Sequence, residues 1–323
     1  MSGRKRLNRF TGSVKQAPHF NPDKDAGTLH SNLRGIGNDE ASVISILSSR
    51  TNAQRQEVAR SYFSAYERNL IQDLKIHSKG DFQTILLALF HPPRVYDATC
   101  LNKAIKGLIK DPKAMTEILM TRTPEEIKKI KEIYLEKFSR ELTKDIEEDC
   151  SGEFRKFLLT LATTEREDFQ AVSAEKAKLD ATSLQNAVKK HGEEMSATFI
   201  SIFCSRSFAQ LNAAFYDYKK LAGRDITKTI TSEFSTDLKD GLKAICEVAT
   251  YPPDYFADRL YRSMKGAGTD DKTLIRVVVT RSEIDMIDIK KSFAEKHGKS
   301  LEKYIEGDTS GSYKKLLLAL VYD

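Results

Sequence analysis

The residues best suited to chemistry are Met264-Lys265-Gly266-Ala267-Gly268-Thr269, followed by Asp270-Asp271 and, forty residues past Gly268, by Asp308 in Gly307-Asp308-Thr309-Ser310-Gly311. Two glycines around one residue, just before a helix-start signal, describe a turn with backbone angles that only glycine adopts cheaply. Such a loop can turn its carbonyls outward. Backbone carbonyls and one carboxylate are the oxygen ligands that a hard cation such as calcium takes. A lone GxGT marks only a turn, and its weight here comes from the frame around it.

That frame recurs. Arg50-Thr51-Asn52-Ala53-Gln54, Arg122-Thr123-Pro124-Glu125-Glu126, Arg206-Ser207-Phe208-Ala209-Gln210 and Arg281-Ser282-Glu283-Ile284-Asp285 each place Ser or Thr at a cap with an acid or amide three residues on. Asp285 fits that box least well. Thirteen residues before the arginines lie Gly37, Ile109, Glu193 and Gly268; twenty-seven after them lie His77, Asp149, Glu233 and Asp308. Thirty-nine after come Leu89, Leu161, Ile245 and Leu320, which close apolar segments such as Leu316-Leu317-Leu318-Ala319-Leu320. Shared landmarks at this density define an internal repeat.

Within the repeats the apolar spacing is helical, as at Phe256, Leu260 and Met264 or Met286, Ile289 and Phe293, with no period-2 run. The chain is therefore expected to be all-α, with about five helices per repeat. In the fourth repeat these span roughly 253–264, 270–280, 283–297, 299–306 and 310–321. The expected organisation is a basic tail (1–20), repeats at 21–91 and 92–163, a linker (164–180), and repeats at 181–250 and 251–323. The long, charged middle junction suggests two sequential halves.

Composition narrows the function. Of the net charge of +6, residues 1–20 supply +5 through Arg4, Lys5, Arg6, Arg9 and Lys15, so the remaining 303 residues are nearly neutral. A nucleic-acid binder would spread basic residues over its folded body, so nucleic acid is not the expected partner. The tail could meet anionic lipid or an acidic protein, and otherwise reads as a solvated arm. Cys100, Cys150, Cys204 and Cys246 are widely spaced without CxxC, the usage of reduced cytoplasmic thiols. No apolar run nears the ~20 residues of a membrane helix. The six histidines form no catalytic grouping, and neither a nucleophile elbow nor a P-loop is present, so no enzymatic activity is expected.

The Arg-Ser/Thr boxes, KGAGTD, GDTSG and the LLAL endings together resemble the annexin family, over nearly the whole chain after residue 20. The resemblance implies a curved all-α disc whose first interhelical loops lie on one convex face. It also implies calcium-dependent, reversible docking on acidic phospholipid. In the family's main site, carbonyls of the MKGxG segment and a distant acid hold the ion, which maps here to Met264, Gly266, Gly268 and Asp308. About five oxygens leave positions open for a lipid phosphate, with Lys265 beside them. A protein bound at the tail and lateral self-assembly on the membrane complete the expectation.

The other repeats depart from that pattern. Repeat 1 keeps Gly35-Ile36-Gly37 but places His77 at the acid position, and imidazole suits a hard cation poorly. The family's accessory site would fall on Asn38 and Glu40 there, and on Thr269 and Asp271 in repeat 4. Repeat 2 keeps Asp149 but reads Lys106-Gly107-Leu108-Ile109-Lys110, and repeat 3 keeps Glu233 but reads Lys189-Lys190-His191-Gly192-Glu193. Both acids are expected to cap the following helix. Lys110, Lys189 and Lys190 are expected to attract lipid phosphate directly. The repeated arginines are expected to pair within their own repeats. Loss of three sites leaves a second reading open, a cytoskeletal or protein scaffold with reduced or calcium-independent membrane binding.

Overall fold

Repeats 1 to 3 start their third helix from the same local signal. Thr51 accepts a hydrogen bond from Gln54 N, and Gln54 Oε1 in turn accepts one from Thr51 N; Thr123 and Glu126 do the same. Ser207 accepts from Gln210 N. Such reciprocal caps satisfy amides that a helix start otherwise leaves unbonded.

A computed structural model describes residues 10–34, 40–167 and 171–322, and among them every regular element is an α-helix. The first repeat comprises α1 (Pro22–Arg34), α2 (Glu40–Ser48), α3 (Asn52–Tyr66), α4 (Leu70–Ile76) and α5 (Gly80–Phe90). The second comprises α6 (Pro93–Lys106), α7 (Pro112–Thr121), α8 (Pro124–Phe138), α9 (Leu142–Asp149) and α10 (Gly152–Thr163). The third holds α11 (Ala174–Lys190), α12 (Gly192–Ser205), α13 (Phe208–Ala222), α14 (Ile226–Glu233) and α15 (Thr236–Thr250). The fourth holds α16 (Pro252–Met264), α17 (Asp271–Arg281), α18 (Met286–His297), α19 (Leu301–Asp308) and α20 (Gly311–Val321). None of these helices is long and apolar enough to cross a membrane.

The helices gather into two packed units, and these are not the sequential halves suggested by the middle junction. One unit comprises the described residues of Met1–Pro93 and Phe256–Asp323, the other Arg94–Tyr255. Repeat 1 thus packs with repeat 4: α2 lies on α20, and α5 lies on α17 and α20. Repeat 2 packs with repeat 3, with α15 against α7 and α10 against α12. Each unit has its own apolar core, built in the first on Leu47, Leu89, Phe256 and Phe293 and in the second on Phe157, Phe199, Phe203 and Leu242. Within the expected linker 164–180, Ser173 accepts from Lys176 N and starts α11 at Ala174.

The repeated arginines are structural partners, as their position beside a cap implies. Arg50, Arg122 and Arg206 grip Asp25, Asp97 and Asp180 with Nε and Nη2 on the two carboxylate oxygens. These aspartates lie 25 or 26 residues upstream, on α1, α6 and α11. In repeat 4 Phe256 stands at that place, and the Arg281 guanidinium lies over its ring at 4.3 Å. Arg281 takes Asp285 instead, at 2.8 and 2.6 Å. The Asp285 side chain therefore makes no cap bond, and α18 starts at Met286 rather than at 283.

Part of the basic tail is also built in. Val14 N donates to Ser282 O and Ile287 N to Thr11 O. Ser13 Oγ donates to Leu320 O, and Val14 is buried. Gly12 lies so close to the Glu283 backbone that a Cβ there would meet its carbonyl carbon at 2.5 Å. The solvated-arm expectation thus fails for residues 11–17, while Arg4, Lys5, Arg6 and Arg9 lie outside the described residues.

Candidate metal centre

The KGAGTD segment joins α16 to α17. Met264 closes α16 and is buried. Gly266 has φ +121° and Gly268 φ +87°, and nothing lies within 4 Å of an added Cβ at either. Backbone conformation, not crowding, calls for glycine here. Asp270 N donates to Ser263 O at 2.7 Å, and the Asp270 side chain accepts from Thr273 N to start α17. Both ends of the loop are thereby fixed. Among the described residues, the carbonyls of Met264, Gly266 and Gly268 receive no backbone hydrogen bond.

Asp308, at the end of α19, is folded against this loop. Thr269 Oγ1 donates to Asp308 Oδ2 at 2.5 Å. No lysine or arginine among the described residues pairs with the Asp308 carboxylate. Free carbonyl oxygens in a glycine-bent turn beside an uncompensated carboxylate form a hard-oxygen donor set, so these residues fit a calcium ion. Lys265 is drawn over the Tyr261 ring, 5.2 Å from its centroid, and that ring stacks on His297. At the accessory position, burial pushes the Asp271 carboxyl up, and repulsion from Asp81, Asp308 and Asp270 adds to the shift.

Repeat 2 keeps the loop's frame and fills it differently. Asp111 N donates to Ala104 O, and Asp111 caps α7 as Asp270 caps α17. The Lys110 ammonium donates to Ile105 O and to Asp149 Oδ1. Ile105 and Asp149 are the counterparts of Met264 and Asp308. The lysine ammonium therefore spans a carbonyl and an acid that in repeat 4 are both free of cations. Lys106 reaches Asp149 at 2.6 Å, Asp145 at 3.1 Å and Glu148 at 3.6 Å. The carboxylate oxygens of that acidic trio lie within 4.8 Å of one another, and Arg140 pairs with Asp145 and Glu148 as well. Hydrogen bonds from Lys106 and then Lys110 hold the Asp149 carboxyl below the usual carboxylate range.

Repeat 3 has lost the loop altogether. His191, with φ +56°, both ends α11 and precedes α12, so no turn remains. Glu233 pairs with Arg224 at 3.4 Å, and Lys190 with Glu194. In repeat 1, Gly37 and Asn38 lie outside the described residues. His77 Nδ1 sits 2.7 Å from Asp73 O, and Glu40 accepts from Ser312 Oγ.

Two sequence expectations need correction, and one contact went unread. Asp149 and Glu233 do not cap the following helices, whose starts at Ser151 and Ser235 carry no side-chain cap. Lys110 and Lys190 are held by acids of their own repeats, because a carboxylate stands within reach of each. The role of Thr269 went unread, although the 39-residue offset from Thr269 to Asp308 is also that from Lys110 to Asp149.

The chain's relatives carry the same repeats. The annexin family model matches residues 24–89, 96–161, 179–245 and 255–320. Mouse annexin A4 is 43% identical over 309 residues, covering 96% of this chain and 97% of that protein. Human annexin A7 is 41% identical over 310 residues, 96% of this chain, which spans 64% of the longer protein. The solved structure of annexin III superposes with a TM-score of 0.94 at 40% identity, covering 97% of each chain. With four family repeats along nearly its whole length, this chain belongs to the annexins, non-enzymatic proteins that bind phospholipid in a calcium-dependent manner.

Proposed function

We propose that this chain docks peripherally and reversibly on acidic phospholipid membranes, chiefly through repeat 4. The carbonyls of Met264, Gly266 and Gly268 with the Asp308 carboxylate would hold calcium. When bound, the ion supplies positive charge and open coordination positions for a lipid phosphate. The protein's part is to keep the glycine turn open, to hold Asp308 against it through Thr269, and to leave both without an internal cation. One observation carries this reading: among the described residues Asp308 has no lysine or arginine on it, whereas Asp149 has two lysines and Glu233 has Arg224. By linkage, lipid and calcium tighten one another. A cytoplasmic protein that reaches the membrane as calcium rises follows from this.

With the loops of repeats 2 and 3 filled or collapsed, the chain is less calcium-sensitive than a fully equipped relative. Lateral assembly on the membrane, or a protein bound at the tail, would restore multivalency. Asp308→Ala is expected to abolish most calcium-dependent sedimentation with phosphatidylserine vesicles. Unchanged sedimentation would remove repeat 4 from this role. The filled or collapsed loops of repeats 2 and 3 favour the scaffold as the second reading, which negligible vesicle binding by the unaltered chain, alongside chelator-insensitive capture of a protein, would select.

A further inference from the structure

The first loop of repeat 2 ends in two large apolar residues that touch almost nothing. Leu108 and Ile109 are 108% and 87% exposed, the highest values among the exposed large apolar side chains. They occupy the places of Ala267 and Gly268, at the tip of a loop whose base is tied as in repeat 4, by Asp111 N to Ala104 O and by the Asp111 cap. A flexible tail could fold such residues away, but a tip fixed at both ends cannot. Beneath it, the ammonium groups of Lys106 and Lys110 already compensate Asp149. The loop thus presents an apolar tip over a base whose charges are internally paired.

We propose that this loop is a lipid contact that works without an ion of its own, inserting Leu108 and Ile109 into the interfacial region of the bilayer. A bilayer is the occupant that the surroundings favour. The equivalent loop of repeat 4 is the one proposed above to meet lipid, and the family binds phospholipid. Two aliphatic side chains flanked by lysine stems suit the boundary between headgroups and acyl chains, where lysines keep their ammonium groups at the polar level. A protein groove would instead need a broader apolar face, and the next exposed apolar side chain of this repeat, Leu135, lies on α8 and not on this loop. Repeat 2 would then have exchanged an ion bridge, which responds to calcium, for an apolar wedge, which does not. The inference rests on the docking reading, so its test reads docking and insertion separately.

The chain contains no tryptophan, so Leu108→Trp introduces a single reporter at the tip. With phosphatidylserine/phosphatidylcholine vesicles and calcium, sedimentation measures docking, while emission and its quenching by brominated acyl chains measure insertion. The expected result is sedimentation together with a blue shift and quenching. Leu108→Ser/Ile109→Ser should weaken vesicle affinity about tenfold at fixed calcium, since even partial burial of two aliphatic side chains is worth that factor. It should leave calcium binding in the absence of vesicles unchanged. Both positions are solvent-exposed, so neither variant disturbs the core. Sedimentation with aqueous, unquenched emission and an unweakened double variant would overturn the proposal while leaving the repeat-4 reading intact. Failure of the unaltered chain to sediment would sink both.

Discussion

Replacing Gly268 by alanine separates the conformation of the proposed calcium loop from the space around it. An added Cβ would meet nothing within 4 Å, so the substitution introduces no clash. It does place an L-residue at φ +87°, beyond the left-handed region that such residues tolerate, at about 1–2 kcal/mol. That cost can surface in two ways. If the ion-free loop relaxes to negative φ, the strain is met on binding, and calcium affinity falls by about five- to thirty-fold. If the Asp270–Ser263 bond and the Asp270 cap hold the loop in place, the strain lowers stability instead, by about 2–4 °C in melting temperature per kcal/mol for a unit of this size. Calcium titration by calorimetry with acidic vesicles, beside a melting curve without calcium, captures both shares. Gly268→Asn should recover part of the loss, because asparagine tolerates left-handed backbone. Gly307→Ala is the control: it sits in α19 beside Asp308, without positive φ or crowding, and should be neutral or stabilising. A Gly268→Ala protein with unaltered calcium affinity and unaltered melting would refute the claim that this turn's geometry matters.

Three further outcomes are expected. Arg122→Met leaves Asp97, 1% exposed, with only the Arg94 guanidinium at 3.0 Å, and should cost about 3 kcal/mol in urea unfolding. Arg122→Met/Asp97→Leu should recover most of that loss; a double variant as unstable as the single one would refute the pairing argument. Gly12→Ala should free residues 11–17 from the segment around Glu283 and loosen the backbone at the already exposed Lys15 for cleavage by trypsin, whereas an unchanged digestion pattern would show that the tail accommodates the methyl group. Burial pushes the Cys204 thiol up to about 12 and the Cys246 thiol further, so both stay protonated and unreactive to iodoacetamide at pH 8; rapid native alkylation of either would contradict this.

The repeat architecture was legible because each signal is local and recurs. A cap, a box residue and an apolar ending lie within one helix, and four copies at a common offset expose the frame. What the sequence hid depends on partners far along the chain. Asp285 looks like a poor cap until Phe256 is seen in the place of the aspartate that Arg50, Arg122 and Arg206 grip, which leaves Arg281 free to claim Asp285. Lys110 reads as a lysine turned toward lipid phosphate until α9 brings Asp149 beside it. The two sequential halves failed for a similar reason, since the pairing of repeat 1 with repeat 4 is set by apolar faces of α2, α5, α17 and α20 that no local pattern connects. The residues proposed to hold the ion were legible as a glycine loop and a distant aspartate, and as a ligand set through the family resemblance. That Asp308, alone of the acids at that position in repeats 2 to 4, lacks a basic partner among the described residues required the fold.

The most direct test of the central claim is a crystal structure of the chain grown in millimolar calcium. An ion with about 2.3–2.6 Å bonds to the carbonyls of Met264, Gly266 and Gly268 and to the Asp308 carboxylate is the predicted result, with Asp149 still held by Lys106 and Lys110. Water alone in the Gly266–Gly268 turn, with Asp308 directed away from it, would contradict the account.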